Sequence, residues 1–449
     1  IFHCVIIRGV STRIEGVSPG QGRDMGAKVS DRKAVTVGII GIGSMGKGLF
    51  YQSHITPGVT CVAVCDLDIR KCTEVLEWLQ LPFRVVDDAE GLRKAIAQGA
   101  VAVCEDGGLI AEAEQIDVMI EASTSIGSAG EWVVRALERH KHVVLMNAEV
   151  DLLFGPLLLE VAAQNGVVCT SCDGDQHGVI KHLVDEVELW GFELVMAGNI
   201  KGFLDVRANP TTIVPEADKR NLDYRMCTSF TDGTKLNIEM ALIANACGMR
   251  TRTPGMLGPA MDDVRKVFEH FDFDRLWEDR VPFVDYILGA EPGSGVFVIG
   301  YCGNSYQQSM LSYYKMGPGP YYLFYRPYHL CHIEAMDTVL RAASNECLLQ
   351  PRHGFLTNVV AYAKTDLQAG QVLDGIGGYT CYGKIENRPH EGADGGIPIC
   401  LADQVRLKRP VAKDERLRMQ DVEYDPGRPD FRLFREALEA SERLKADRK

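Results

Sequence analysis

Between residues 35 and 170, short β-branched runs alternate with stretches whose apolar residues recur at helical spacing. The apolar runs cover 35–40, 60–65, 83–86, 101–104, 117–122, 142–146 and 166–170. Segments such as DIRKCTEVLEWLQ and GEWVVRALERH lie between them. Strand runs alternating with helices predict a parallel sheet covered on both faces. Ligands of such sheets bind at the carboxyl ends of the strands. Those ends carry the glycines of 41–46, Asp66, EAST (121–124), MNAE (146–149) and SCDGDQHG (171–178). The pattern then changes. Residues 173–356 mix helices with Tyr-rich runs such as MGPGPYYLFYRPYHL, predicting an α+β insert for substrate binding and oligomerisation. Short strands, glycine turns and polar loops over 357–425 predict a small β-rich domain, and 426–449 reads as a charged, exposed helix. The first 25 residues lack the features of a signal peptide, and 1–34 is read as a disordered leader, with Met25 a candidate start. The expected fold class is α/β: a Rossmann-type parallel-sheet domain over 35–172, the insert and the small β-rich domain.

The stretch GIIGIGSMGKG follows the first strand run. Gly41, Gly43 and Gly46 fall at the G-x-G-x-x-G spacing, with Ser44 and Met45 opening a helix. The first glycine suits a tight turn, the second close approach of a pyrophosphate, and the third close packing of helix on strand. Asp66 ends the second strand run 20 residues past Gly46, where a dinucleotide ribose is met. Ala122, Ser123, Asn147 and Glu149 would complete the cofactor cleft. The alternative is an ordinary tight strand-to-helix turn. Asp66 favours NAD; Arg70 and Lys71 could instead take the 2′-phosphate of NADP.

The chain has 449 residues, too many for one core, so two to three domains are expected. A net charge of −13 argues against a nucleic-acid surface. No apolar run reaches the roughly 18 residues of a membrane span. The 14 cysteines are scattered without a C-x-x-C pair, as expected of reduced, mostly buried thiols in a cytoplasmic protein. The expected partner is a small molecule, with the chain assembled as a homo-oligomer.

The glycine loop, IDVMIEAS, KHVVLMNAEVDLLFGPLL and the following GDQ resemble the cofactor domain of homoserine-dehydrogenase-like proteins. The segment AKTDLQAGQVLDGIGGYT resembles an SAF domain, a small β-clip fold. Together with SFTDGTKLNIEMA, YRPYHL and QPRHGF, this order of domains resembles the deoxyxylulose-5-phosphate-reductoisomerase-like family over about residues 35–425. The resemblance implies NADP- or NAD-linked reduction at a carbonyl, and for the family's namesake isomerisation of deoxyxylulose 5-phosphate followed by reduction to methylerythritol phosphate. One departure concerns homoserine oxidation. True homoserine dehydrogenases carry Asn-Lys after this strand, whereas Asn147 is followed here by Ala148 and Glu149. A carboxylate cannot stabilise a developing alkoxide as an ammonium can. Their D-x-x-x-K pair is likewise replaced by Asp232 and Lys235, three residues apart.

Reduction of a carbonyl needs a proton source for the alkoxide, and a sugar-phosphate-like substrate needs cations. In TDGTKLNIEMALIANA an almost wholly apolar helix is interrupted by Lys235, Asn237 and Glu239, with Asp232 as its cap. Lys235 and Glu239 share a face at i,i+4, and a lysine in the first turn opposes the helix dipole unless an anion answers it. A plain salt bridge is the alternative. Lys201 leaves a strand-like run near the cleft or is an exposed loop lysine. Arg326 suits a phosphate and His329 can carry a proton, against a packed, Tyr-rich strand end. Asp175 sits in DGDQHG, at a strand end or in an Asx-type turn. Asp173, Asp175 and Glu149 leave a divalent metal open. The expected function is NAD(P)H-dependent reduction of a small carbonyl or sugar-phosphate-like compound. The alternatives are a homoserine-dehydrogenase-like reaction and a non-catalytic dinucleotide or sugar sensor.

Overall fold

The computed structural model describes residues 34–220, 222–388 and 395–446. The expected leader lies outside them, apart from Ala34. Seven strands build the first sheet: β1 (Val35–Ile40), β2 (Val59–Cys65), β3 (Phe83–Val85), β4 (Val101–Cys104), β5 (Val118–Glu121), β6 (His142–Leu145) and β7 (Cys169–Ser171). All pairings are parallel, in the order β3-β4-β2-β1-β5-β6-β7. The chain builds outward from β1 on one side and then crosses to place β5 on the other. The strand order therefore reverses beside β1, and the crevice opens at the carboxyl ends of β1 and β5. Strand β7 starts later than its apolar run, because Gly166 at φ +67° ends helix Ala148–Gln164 in the left-handed conformation.

The insert is built on a five-stranded mixed sheet. Its strands are β8 (Glu193–Lys201), β9 (Arg250–Thr251), β10 (Phe283–Leu288), β11 (Val296–Tyr301) and β12 (Tyr321–Arg326), in the order β12-β11-β8-β10-β9. Helix Cys331–Ala343 then returns to the first sheet. Its Ala335, Met336, Val339 and Ala342 join the core of Val37, Ile39 and Leu49.

Helix Thr234–Cys247 is the hub. It is buried from Thr234 to Ala246 and packs on the parallel domain, the insert and the tail. Its polar residues divide by helical angle. Thr234, Asn237 and Asn245 face the tail. Thr234 Oγ1 accepts from Gly383 N at 2.9 Å and Asn237 Oδ1 from Ile385 N at 2.8 Å. Asn245 Oδ1 accepts from Leu356 N and Thr357 N, each at 2.9 Å. Lys235 and Glu239 point elsewhere, into the site.

The tail holds β13 (Thr357–Ala363), β14 (Val372–Asp374), β15 (Cys381–Asn387), β16 (Asp403–Leu407) and β17 (Val422–Glu423), arranged as the pair β13-β15 and the sheet β14-β16-β17. The last helix, Pro429–Ala446, corrects one expectation: it is not an exposed appendage. Phe431, Leu433, Ala437 and Ala440 bury one face against helices Gly127–Glu138 and Ala148–Gln164 of the first domain. Its charges pair along the rim of that contact, as in Arg432–Glu131 at 2.8 Å and Arg443–Glu160 at 3.0 Å. Charge density had obscured the apolar stripe. Among the described residues most cysteines are buried, and no helix is long and apolar enough to cross a membrane.

Candidate active site

Gly41 and Gly46 take the turn and packing roles that their spacing predicts. Gly41 has φ +91°, and a Cβ there would lie 2.6 Å from Ser123 N. A Cβ on Gly46 would lie 1.8 Å from Gly41 O, so the helix can sit on the loop only without one. At Gly43 a Cβ would meet nothing within 4 Å. That glycine keeps no internal contact open; it leaves a bare cradle. Helix Ser44–Ile55 begins there with no side-chain cap and no acidic residue in its first turn. Ser44 and Met45 are exposed. The first N–H groups of the helix thus have no side-chain cap, the arrangement on which an anion can bind. Asp66 braces the loop: Oδ2 accepts from Ile42 N at 2.8 Å and Oδ1 from Asp68 N at 2.9 Å. Lys71 approaches at 3.4 Å, and Arg70 is drawn aside in a two-pronged pair with Asp68.

Next to the loop, Ala122 N donates to Ile40 O at 2.8 Å. Fully buried Glu121 accepts from Ser123 N at 2.9 Å, and burial pushes its carboxyl up to about 7. Asn147 Nδ2 donates to Ser123 O at 2.9 Å and Ser125 O at 2.8 Å. These bonds fix the wall formed by Ala122, Ser123 and Asn147. Two residues on, Glu149 turns toward the insert.

There it meets Lys235, whose Nζ lies 3.3 and 3.4 Å from the two Glu149 oxygens. The lysine side chain is 9% exposed. Burial alone would lower its proton affinity; the charges of Glu149, Asp175 and Glu239 outweigh that and raise it. Lys235 is therefore a fixed ammonium at neutral pH. Glu239 shows the opposite balance. Burial first, then Asp175, push its carboxyl up to about 8, against the pull of Lys201 and Lys235. Glu239 holds a proton near neutrality. Asn199 links it to the next element, with Nδ2 at 3.4 Å from Glu239 Oε2 and also bonded to Gln176 Oε1.

Asp175 caps helix Gln176–Leu189 by accepting from Gln176 N at 2.9 Å. Burial acts to raise its carboxyl, but His177 and Lys235 outweigh it and keep it ionised. The turn reaches the site because Gly174, at φ +81°, presses on the carbonyls of Leu330 and Cys331; a Cβ there would be 2.4 Å from Cys331 O. His329 Nδ1 donates to Ser294 O at 2.7 Å.

Lys235, Glu239, Glu149 and Asp175 therefore converge, with Lys201 close enough for its charge to be felt by Glu239. Lys201 Nζ also lies 6.0 Å from the Phe230 ring centroid. Two candidates are committed elsewhere. Arg326 pairs with Glu334 and stacks at 4.6 Å over Tyr328. Asp232 caps Thr234 N at 2.9 Å and forms a fully buried pair with Lys364 at 2.8 Å. The carboxylates Asp173, Asp175 and Glu149 do not gather as one ligand set among the described residues. Asp173 instead bonds His182 at 2.7 Å, and Glu149 faces Lys235. Sequence reasoning placed Glu121 only within the strand end EAST and missed Asn199 and Cys331. Only Cys331 offered a signal, two residues from His329.

Residues 174–335, which supply Asp175, Lys201, Lys235, Glu239 and His329, match the family model described as the catalytic domain of oxidoreductase DRL. A homoserine dehydrogenase of Bacillus subtilis (strain 168) is 29% identical over 136 residues, spanning 30% of this chain and 28% of that protein. Among solved structures, a probable dehydrogenase from Thermotoga maritima aligns with a TM-score of 0.41 at 11% identity, over 71% of this chain and 91% of that one. The 1-deoxy-D-xylulose 5-phosphate reductoisomerase of Zymomonas mobilis, solved with NADPH, aligns with a TM-score of 0.33 at 16% identity, over 46% of this chain and 56% of that one. The chain thus carries a segment similar to an oxidoreductase catalytic domain, set beside a glycine-loop parallel sheet.

Proposed function

We propose that the protein is an NAD(P)-dependent oxidoreductase that interconverts a carbonyl and an alcohol on a small polar substrate. The observation that carries this is the buried ammonium of Lys235, held 3.3 Å from Glu149 at the end of the wall that starts at the glycine loop. A nicotinamide bound along that wall would supply or take a hydride. The residues of the chain do the rest. Lys235 offers a fixed positive charge to the oxygen that becomes an alkoxide, in a site that excludes water. Glu239, protonated near neutrality, supplies the proton. Asp175 and Glu149 hold Lys235 in place.

With Glu239 protonated, the carboxylates of Glu149 and Asp175 offset the charges of Lys235 and Lys201, so this centre has no excess positive charge. It suits the uncharged carbonyl end of a substrate, and a sugar phosphate would place its phosphate further out. Asp66 supports NAD(H) over NADP(H), since it repels a 2′-phosphate and Arg70 is engaged by Asp68. An SAF-type role for the tail, a homo-oligomeric assembly and a cytoplasmic location are part of the same proposal.

The test uses Gly43→Val. The added side chain enters open space, so the fold should survive while pyrophosphate approach is blocked. NADH and NADPH titrations followed by fluorescence should show binding to the parent chain and none to the variant. Unchanged binding would overturn the cofactor assignment.

A further inference from the structure

Three side chains from two distant parts of the chain meet beside the Lys235 centre. Asp175, His329 and Cys331 each offer a ligand atom, and these atoms lie within 4.8 Å of one another. We propose that they form a site for a divalent metal ion of the zinc class. The metal site stands on its own geometry; any part it plays in turnover rests on the oxidoreductase reading above.

The donor chemistry selects the ion. A thiolate, an imidazole and a carboxylate make a borderline-to-soft set, which suits Zn²⁺ or Co²⁺ and not the all-oxygen shell preferred by Mg²⁺. A tetrahedral ion with bonds of ~2.0–2.3 Å keeps its ligand atoms roughly 3.3–3.8 Å apart, so a contraction of about 1 Å closes this set. Three protein ligands leave the fourth position open, the arrangement of catalytic zinc sites.

The surroundings point the same way. His329 Nδ1–H donates to Ser294 O at 2.7 Å. The ring's lone pair is therefore on Nε2, and a backbone carbonyl orients the imidazole as outer partners of metal-bound histidines do. His177 is 2% exposed, and its Nδ1 has no hydrogen-bond partner. That nitrogen lies 3.9 Å from Asp175 Oδ2. A buried, unsatisfied ring nitrogen is costly, and here it faces the carboxylate that would carry the ion. Gly174 completes the frame, because only a residue without Cβ lets the Asp175 turn press on the Cys331 and Leu330 carbonyls.

The second cluster of such donors, Asp173, His182 and Asp337, is different. Its members are already satisfied: Asp173 bonds His182 at 2.7 Å, and Asp337 pairs with Arg341 at 2.5 Å.

The test is titration of the chelator-treated full chain with Co²⁺ alone. One Co²⁺ should bind per chain, with tetrahedral visible bands and a sulfur-to-cobalt charge-transfer band. Zn²⁺ should displace it, and a large excess of Mg²⁺ should not. Cys331→Ser should abolish the charge-transfer band. His329→Ala should weaken binding by more than the ~10–100-fold that an outer partner costs. Both variants should still titrate with the nicotinamide cofactor, which shows that they are folded. The proposal is overturned by a parent chain that binds no Co²⁺, by a band unchanged in Cys331→Ser, or by loss of binding in Asp337→Asn instead. In each of those cases intact cofactor binding would leave the oxidoreductase reading standing.

Discussion

Two buried lysines face carboxylates in this molecule, and they are built differently. Lys364, at the start of the tail, donates to Ala208 O and Gly378 O, each at 2.7 Å, and lies 2.8 Å from the Asp232 carboxylate. Lys235 has Glu149 at 3.3 and 3.4 Å, with Asp175 and Glu239 acting at longer range. The first lysine is saturated. It joins tail to insert and has nothing left to give a ligand. The second lies among carboxyl groups yet is loosely held, and the proposed function assigns its unused donor capacity to a substrate oxygen. A buried charge alone does not mark an active site; its unfilled hydrogen-bonding capacity does.

Substituting each lysine by Met separates the two roles. Lys235→Met should lower turnover by ~10²–10³ and leave cofactor affinity nearly unchanged. Lys364→Met strands Asp232 without its cation and should cost about 3–5 kcal/mol of stability, read by denaturant unfolding. Activity per folded molecule should change little. The comparison breaks if Lys364→Met loses turnover while staying fully folded, or if Lys235→Met turns over like the parent.

A smaller effect sharpens the picture of the proton source. Glu239 holds its proton below about 8 and loses it above. Carbonyl reduction should therefore fall as pH rises through that value. Glu239→Gln should be slower at neutral pH and should lack this alkaline limb. A limb that persists in the variant belongs to another group.

The smallest effect concerns the cofactor wall. The Glu121 carboxyl sits near 7 in the folded chain against 4.5 for an ordinary glutamate, so the native state binds the extra proton. Its contribution to stability is full below about pH 4.5 and is lost as pH rises through about 7. Relative to the parent, Glu121→Gln should gain melting temperature between about pH 5 and about pH 8. A constant difference across that range would show that Glu121 titrates normally.

Legibility from sequence followed the range of the contacts. The seven strands and the turn and packing roles of Gly41 and Gly46 were readable, because each rests on residues close together in the chain. Lys235 and Glu239 were readable because a charge set into an apolar helix is costly unless it is paired or used. The role of Asp232 was not, since its partner Lys364 lies far along the chain and looks like any surface lysine. Cys331, Asn199 and Glu121 look ordinary in isolation. Their meaning comes from the Gly174 turn, the Gln176 carboxamide and the Ser123 amide that folding brings to them.

The last helix has a consequence for how the molecule is made. Gly130 lies where three helices meet, and a Cβ there would be 2.5 Å from the Phe154 ring and 2.8 Å from Leu433. The first domain's helices Gly127–Glu138 and Ala148–Gln164 thus wait for residues that are synthesised long after them: Arg432 and its partner Glu131 are 301 positions apart. Until then an apolar face of that domain stays open to water. The nascent chain should need chaperone shielding at that face well after its cofactor domain has formed.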